Sequence, residues 1–281
     1  MRIAFVSGKG GTGKTSVSLA VFIALSEQGQ VIMADTDVEE PDCHLFLEPQ
    51  EVRQYEVTEP VARVDTSRCE FSGRCSEVCR YGAIVTIPNK QVMVFDEMCN
   101  GCGACALACP NKAIYFEERL QGWVKQGKTP YGPVFWGITK VGVRSPTGVI
   151  DGVFEHLPQE GLILVDAPPG AGDAMVHAVK PADYVIVVSE PTKFGIHDAN
   201  AVFKVLRQLG KPFGVIVNKS GIGDPSYPDS LREAGIPVLM EVPFSLEAAK
   251  TLAGGGSLLD VFGELAGAFR SMIEKILEEH R

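Results

Sequence analysis

The chain of 281 residues is short of several things that would assign it a class at once. Basic charge is scarce: 26 lysines and arginines face 35 aspartates and glutamates, a net charge of −9. Neutralising a nucleic-acid backbone needs basic surface, so nucleic acid is not expected as the main ligand. No apolar run approaches the roughly 20 residues that span a bilayer, so no stable membrane insertion is expected. The N-terminal MRIAFVSGKGG lacks the apolar stretch and small-residue cleavage site of a secretion signal, which points to a cytoplasmic protein. Low-complexity tracts are missing as well. Hydrophobic residues at 45% and charged residues at 22% suit a folded protein of one large domain or two modest ones. Cysteine is missing beyond Cys109 and, before Cys69, occurs only as Cys43.

What is present is therefore concentrated. Seven of the eight cysteines lie between Cys69 and Cys109. Secreted disulfide scaffolds are usually much shorter, and in a reducing compartment clustered thiols more often bind metal.

Short apolar runs read as buried strands at Ile3 to Val6, Val31 to Ala34, Leu162 to Val165, Tyr184 to Val188, Phe213 to Val217 and Pro237 to Glu241. Helical patterning at Thr15 to Leu25, Ala199 to Leu209 and Leu231 to Ala234 separates several of them. Such alternation predicts an α/β fold, a doubly wound and mostly parallel sheet with helices on both faces. It fails across residues 60–118, which read as a small α+β domain inserted into a discontinuous main domain of residues 1–59 and 119–281. The Gly-, Pro- and aromatic-rich stretch near residues 119–148 is expected to pack the insertion back onto the main domain. Phe269, Met272, Ile273, Ile276 and Leu277 fall at helical spacing, and the acidic residues among them favour docking on the core over a lipid surface.

Directly after the first strand comes Gly8-Lys9-Gly10-Gly11-Thr12-Gly13-Lys14-Thr15, followed by Ser16. It satisfies G-x-x-x-x-G-K-[ST] and opens a helix, the context a phosphate loop requires. Glycines let backbone N–H groups close around phosphate oxygens, Lys14 reaches the terminal phosphates and the Thr15 hydroxyl binds Mg2+. Asp35 and Asp37, two residues apart at the end of the second strand, can aim at one ligand. Asp166 ends a later strand and runs into Ala167-Pro168-Pro169-Gly170.

The loop KGGTGKTS, with its additional Lys9, resembles the deviant Walker A motif of the MinD/ParA/nitrogenase-iron-protein group of P-loop ATPases. The resemblance implies that Lys9 reaches a partner subunit's nucleotide in a nucleotide-dependent homodimer, or in a heterodimer with a paralogue. It further implies that Asp35 and Asp166 support Mg2+, that Asp37 orients or deprotonates the attacking water, and that Gly170 senses the γ-phosphate. Asn218 and Lys219, with Pro243 and Phe244 in EVPF, are the candidates for adenine contacts. ATP is expected rather than GTP because no N-K-x-D motif occurs.

The second cysteine run, Cys99-x2-Cys102-x2-Cys105-x3-Cys109-Pro, matches the spacing of two-cluster bacterial ferredoxins, in which the fourth cysteine of each run serves the other cluster. Cys99, Cys102 and Cys105 with Cys79 are thus expected to hold a [4Fe-4S] cluster. The first run, Cys69-x5-Cys75-x3-Cys79, puts Ser72 where a cysteine should stand. Cys69, Cys75 and Cys109, with Ser72 as a further candidate, are left for a second cluster, [3Fe-4S] or [4Fe-4S]. Cys43 is read as a buried small hydrophobe near the nucleotide loop, and the five scattered histidines are assigned no function.

The whole reads as an ATP-hydrolysing iron-sulfur protein whose nucleotide state governs electron transfer or contact with a redox or metalloprotein partner. The alternative is an ATP-dependent scaffold or carrier of iron-sulfur clusters. A MinD-like spatial organiser is disfavoured by the acidic tail.

Overall fold

The strand Arg2–Val6 (β1) has Ile3 to Val6 entirely buried, with Ala4 and Val6 facing one side and Ile3 and Phe5 the other. A strand apolar on both faces must lie inside a sheet covered twice, and β1 is an inner strand with a parallel neighbour on each side. In the computed structural model, which describes residues 1–27, 29 and 31–280, the sheet runs β11-β10-β9-β1-β8-β2-β7-β6-β3. The other strands are β2 (Val31–Asp35), β3 (Gln50–Val64), β6 (Ile114–Thr129), β7 (Gly132–Thr139), β8 (Leu162–Asp166), β9 (Tyr184–Ser189), β10 (Phe213–Ser220) and β11 (Val238–Pro243). From β11 to β7 all neighbours are parallel, while β6 and β3 join antiparallel at the edge.

Helices α1 (Lys14–Ser26), α2 (Cys43–Leu47), α9 (Leu246–Ala253) and α10 (Leu265–Glu279) cover one face. The other is covered by α5 (Thr147–His156), α6 (Asp173–Val179), α7 (Lys193–Gln208) and α8 (Tyr227–Glu233). Helix α10 docks on α1 with Phe269, Met272, Ile273 and Ile276 buried, and Arg270 holds Glu27 beyond the end of α1. Among the described residues, no helix is long and apolar enough to cross a membrane.

The segment read as an insertion meets the sheet differently from the boundaries drawn at residues 60 and 118. Strands β3 and β6 run through both limits as one continuous ribbon, paired from Gln50 with Lys128 to Val64 with Ile114. The stretch after residue 119 supplies most of β6 and all of β7, so it extends the main sheet.

At the far end of the ribbon sit α3 (Arg74–Val78), the hairpin β4 (Ile84–Ile87) with β5 (Gln91–Val94), and α4 (Ala104–Ala108). This unit repeats its backbone every 30 residues: Gly73 and Gly103 adopt φ 80° and 81°, and Phe71 and Gly101 adopt 54° and 62°. Hydrogen bonds recur with it, Cys79 N–H to Ser76 and Cys109 N–H to Ala106, both at 3.3 Å. Within that repeat Ser72 occupies the position of Cys102.

Candidate functional site

The phosphate-loop residues, the three aspartates and the base-contact candidates all stand at the C-terminal ends of parallel strands, where open α/β sheets bind ligands. Gly11 and Gly13 take φ 78° and 88°, and a Cβ on Gly13 would come within 2.3 Å of the Asn218 amide nitrogen. A Cβ on Gly8 would strike the α7 backbone at Asp198, 2.4 Å away. The loop can therefore be built only from glycine at these positions. No side chain caps α1, so its first N–H groups face the loop, and the Thr12 hydroxyl is buried without a partner. Free donors at a helix N-terminus and an orphaned hydroxyl suit an oxyanion such as phosphate. Gly10 has open space above its Cα, and Ser16 lies in the first turn of α1.

Lys14 is buried at the centre, its Nζ 2.6 Å from Asp166 Oδ2 and 4.0 Å from Asp37 Oδ2. Burial pulls its pKa down, but Asp166, Asp35 and Asp37 outweigh it and the net direction is upward. Asp166 also accepts from the Thr15 and Ser18 hydroxyls, each at 2.8 Å. Asp35 accepts three backbone N–H groups, from Asp37, Asp42 and Cys43, each at 3.0 Å. Its carboxyl is nevertheless pushed up to about 7, first by burial and then by Asp166, against the pull of Lys14. Asp37 rises to about 6, chiefly through burial.

Ligand atoms of Asp35, Asp166 and Cys43 lie within 4.8 Å of one another. Two carboxylates and the nearby Thr15 hydroxyl are a hard donor set suited to Mg2+, which keeps several of its waters. Cys43 is buried, as expected, and its thiol pKa is driven up by burial and by the neighbouring Asp35, which keeps it neutral against these carboxylates.

Other residues are less free than the sequence reading expects. Gly170 N–H donates to the Ser7 carbonyl at 2.8 Å, so a phosphate sensor there must first break that bond. Asn218 donates an amide hydrogen to Thr12 O at 2.7 Å, and Lys219 Nζ reaches Gly11 O at 2.7 Å. Both pin the phosphate loop, and the Lys219 ammonium is turned to the loop. Phe244 is half exposed, its N–H bonded to Ser220 O, which brings Pro243 and Phe244 beside Asn218 at the ends of β10 and β11.

A residue absent from the sequence reading completes the loop. Glu190, buried just after β9, accepts Lys9 Nζ at 2.7 Å, Lys219 Nζ at 2.9 Å and the Thr192 hydroxyl at 2.9 Å. Burial pushes its carboxyl up, but these three donors overcome that and hold it at about 2. The surplus of positive charge in the motif, Lys9 beside Lys14, was the only sign that a carboxylate was needed nearby.

The seven remaining cysteines divide between two concavities. One is lined by Cys79, Cys99, Cys102 and Cys105 among apolar neighbours such as Ala62, Ile84 and Phe116. The other is lined by Cys69, Ser72, Cys75 and Cys109. Backbone N–H groups of Ala62 and Ala113 donate to Cys99 Sγ at 3.5 Å and Cys109 Sγ at 3.3 Å, which fixes where these two sulfurs point. In neither concavity do three sulfurs lie within 4.8 Å of one another; among the described residues only Asp35, Cys43 and Asp166 group so tightly. A single zinc with bonds near 2.3 Å draws its sulfurs to about 3.8 Å apart, so the donor set fits a larger polynuclear group better.

The model of the CobQ/CobB/MinD/ParA nucleotide binding domain matches residues 3–258. The chain is similar to the iron-sulfur cluster carrier protein of Pyrococcus abyssi, 21% identical over 99% of this chain and 86% of that protein. It is also similar to the polyferredoxin protein MvhB of Methanothermus fervidus, 32% identical over 37% of this chain and 26% of that protein. Its fold resembles that of the septum site-determining protein MinD complexed with Mg-ADP from Pyrococcus horikoshii, with TM-score 0.58, 20% identity and coverage of 98% and 95% of the two chains.

Proposed function

The chain belongs to the CobQ/CobB/MinD/ParA nucleotide-binding family, and from that premise we propose that it is an ATP-hydrolysing carrier of iron-sulfur clusters. The observation that carries this reading is the division of seven cysteines into a set of four and a set of three with Ser72. A fully ligated cluster is retained. A site one thiolate short leaves an iron open to a recipient's cysteine, so the three-cysteine pocket is assigned the transferable cargo. The likeness to a named cluster carrier over nearly the whole chain supports the same reading.

On the nucleotide side, backbone N–H groups of Gly10 to Gly13 and the Lys14 ammonium take the phosphates, and Thr15, Asp35 and Asp166 are assigned to Mg2+. Mg2+ supplies charge neutralisation for the terminal phosphates. Lys14 must exchange Asp166 for phosphate as nucleotide enters. Asp37, the least buried of the three carboxylates, is assigned to hold the attacking water; its raised pKa suits proton acceptance. Attack of that water on the γ-phosphorus breaks the bond to the β-phosphate oxygen and releases ADP and phosphate. Lys9, held by Glu190 in the single subunit, is assigned to the nucleotide of a second copy or a paralogue.

Electron transfer is the second reading, favoured by the likeness to a polyferredoxin and by the 30-residue repeat. The test is anaerobic iron and sulfide counting followed by incubation with an apo-ferredoxin. ATP-stimulated transfer of the cluster supports the carrier. Clusters that stay bound while their reduction potentials shift between ADP and ATP support electron transfer. Fewer than three irons per chain would overturn both.

A further inference from the structure

The two cysteine copies differ behind their sulfurs as well as at Ser72. Across the 30-residue repeat, Cys75 corresponds to Cys105, Ser76 to Ala106 and Thr86 to Phe116. In the first copy two hydroxyls therefore stand where the second has a methyl group and a ring. Thr86 lies in β4, opposite Val92 of β5, and Val92 lines the three-cysteine concavity. Thr86 itself stands outside that lining and reaches it through Cys75, whose Sγ is 3.5 Å from the Thr86 Oγ1. The Ser76 hydroxyl donates to the same Oγ1 at 3.0 Å.

Hydroxyl chemistry sets the order of the donors. A threonine hydroxyl has one proton to give and can accept as well. Thr86 accepts from Ser76, so its own proton is left for another acceptor, and Cys75 Sγ is within reach. A cysteine that binds iron does so as thiolate, which can only accept. The chain thus runs from Ser76 to Thr86 to Cys75. Backbone donors do not distinguish the two sets, because Cys99 of the four-cysteine set and Cys109 of the three-cysteine set each accept one N–H. Among the described residues no side-chain hydroxyl reaches a sulfur of the four-cysteine set, and Phe116 lines that concavity in the place of Thr86. Glu70 lines the three-cysteine concavity where the other copy has Asn100, a charge of opposite effect, but it is exposed and screened by water.

We propose that Thr86, oriented by Ser76, is a positioning residue that donates to the Cys75 sulfur and raises the reduction potential of the cluster on the Ser72 side. This rests on the reading that Cys69, Cys75 and Cys109 hold a cluster. A hydrogen bond to a ligand sulfur draws electron density from it and stabilises the reduced, more negative state, which is one of the means by which a protein sets such potentials. Reduction by an external one-electron donor adds one electron to the cluster and breaks no bond in the protein. The site one thiolate short is then also the site tuned to accept that electron, and the four-thiolate site, with Phe116 in place of the hydroxyl, is not.

The test is a dithionite titration of the anaerobically reconstituted full chain followed by EPR, with Cys69→Ala identifying the Ser72-side signal by its loss. Thr86→Val keeps the shape of the side chain and removes the hydroxyl. Its Ser72-side cluster should be about tenfold harder to reduce, which is about 59 mV lower for one electron, with the four-thiolate potential unmoved. Thr86→Ser should restore the parent value. Ser76→Ala, which leaves Thr86 in place, should shift the potential in the same direction by less, and it carries the test if Thr86→Val fails to load iron. An unmoved Ser72-side potential overturns the proposal, as does an equal shift of both clusters or a Thr86→Ser variant that behaves like Thr86→Val. A parent chain with no cluster at Cys69, Cys75 and Cys109 overturns the reading beneath the proposal as well, and is told apart because Cys69→Ala then matches the parent in iron content.

Discussion

Glu190 sits between two ammonium groups, and the sign of its pKa gives a prediction that separates it from the other acids of the site. Its carboxyl is held at about 2, below the ordinary glutamate value near 4.5. A depressed carboxylate contributes stability above its unfolded pKa, and that contribution disappears as pH falls through the folded value. Urea unfolding should therefore find Glu190→Gln less stable than the parent at pH 7, by about 1–3 kcal/mol for unpaired buried donors, with the gap closing between about pH 4.5 and 2. A gap independent of pH in that window would remove the charge from the argument. Asp35 and Asp37 act with the opposite sign: their raised values favour the nucleotide-free fold at low pH, and this is lost as pH rises through about 6 and 7. At this scale the legible residues were those inside a spaced motif. Lys14, Asp35 and Asp166 could be picked from the sequence because glycines and strand ends fix them. Glu190 and Ser18 could not, since their partners come from remote parts of the chain and nothing local in SEPT or TSVS marks them.

The elements were legible where burial made them monotonous. Strands β1, β2, β8 and β9 are apolar on both faces, so their sequence runs announce them. The ribbon β3–β6 did not read as strand because it lies at an edge, and exposed charged residues such as Arg53, Glu56 and Glu118 break up its pattern. Helix α10 could be read from its spacing, and its docking makes a firm prediction. Phe269 is fully buried against α1, so Phe269→Ala should cost about 3–5 kcal/mol in chemical denaturation without changing nucleotide affinity. The 30-residue backbone repeat makes another. Ser72 has the place of Cys102, in a loop where Phe71 already adopts the positive φ that Gly101 has in the second copy. Ser72→Cys should therefore complete a second four-thiolate set without moving the backbone. Anaerobic iron analysis and EPR should then find two fully ligated clusters, and the loss of iron from the Ser72 side to a chelator should slow by an order of magnitude or more. Unchanged iron lability would show that Ser72 does not limit ligation.

Across the whole molecule, the sheet connects two chemistries that the sequence keeps in separate blocks. Its middle strands end at the phosphate loop and the aspartates, while its edge ribbon carries the seven clustered cysteines, with β2 and β7 side by side between them. Lys14 is where the nucleotide end is held together. It bridges Asp166 at the end of β8 and Asp37 beyond β2, two segments that nucleotide must separate or reorder before Lys14 can turn to phosphate. Lys14→Ala removes the only ammonium in contact with these buried acids among the described residues, so the nucleotide-free protein should lose about 3–5 kcal/mol at pH 7, as when one partner of a buried pair is deleted. That loss should shrink below pH 6, where Asp35 and Asp37 take up protons. Hydrolysis should fall below detection. The seven cysteines of the two concavities lie in another part of the fold, so iron loading should match the parent, and this makes the variant informative about coupling. If nucleotide controls cluster delivery, loaded Lys14→Ala should transfer its cluster to an apo-ferredoxin at one rate with ATP, ADP or neither. Transfer still stimulated by ATP would mean that control does not pass through this site, and the coupling of the two halves would have to be sought elsewhere.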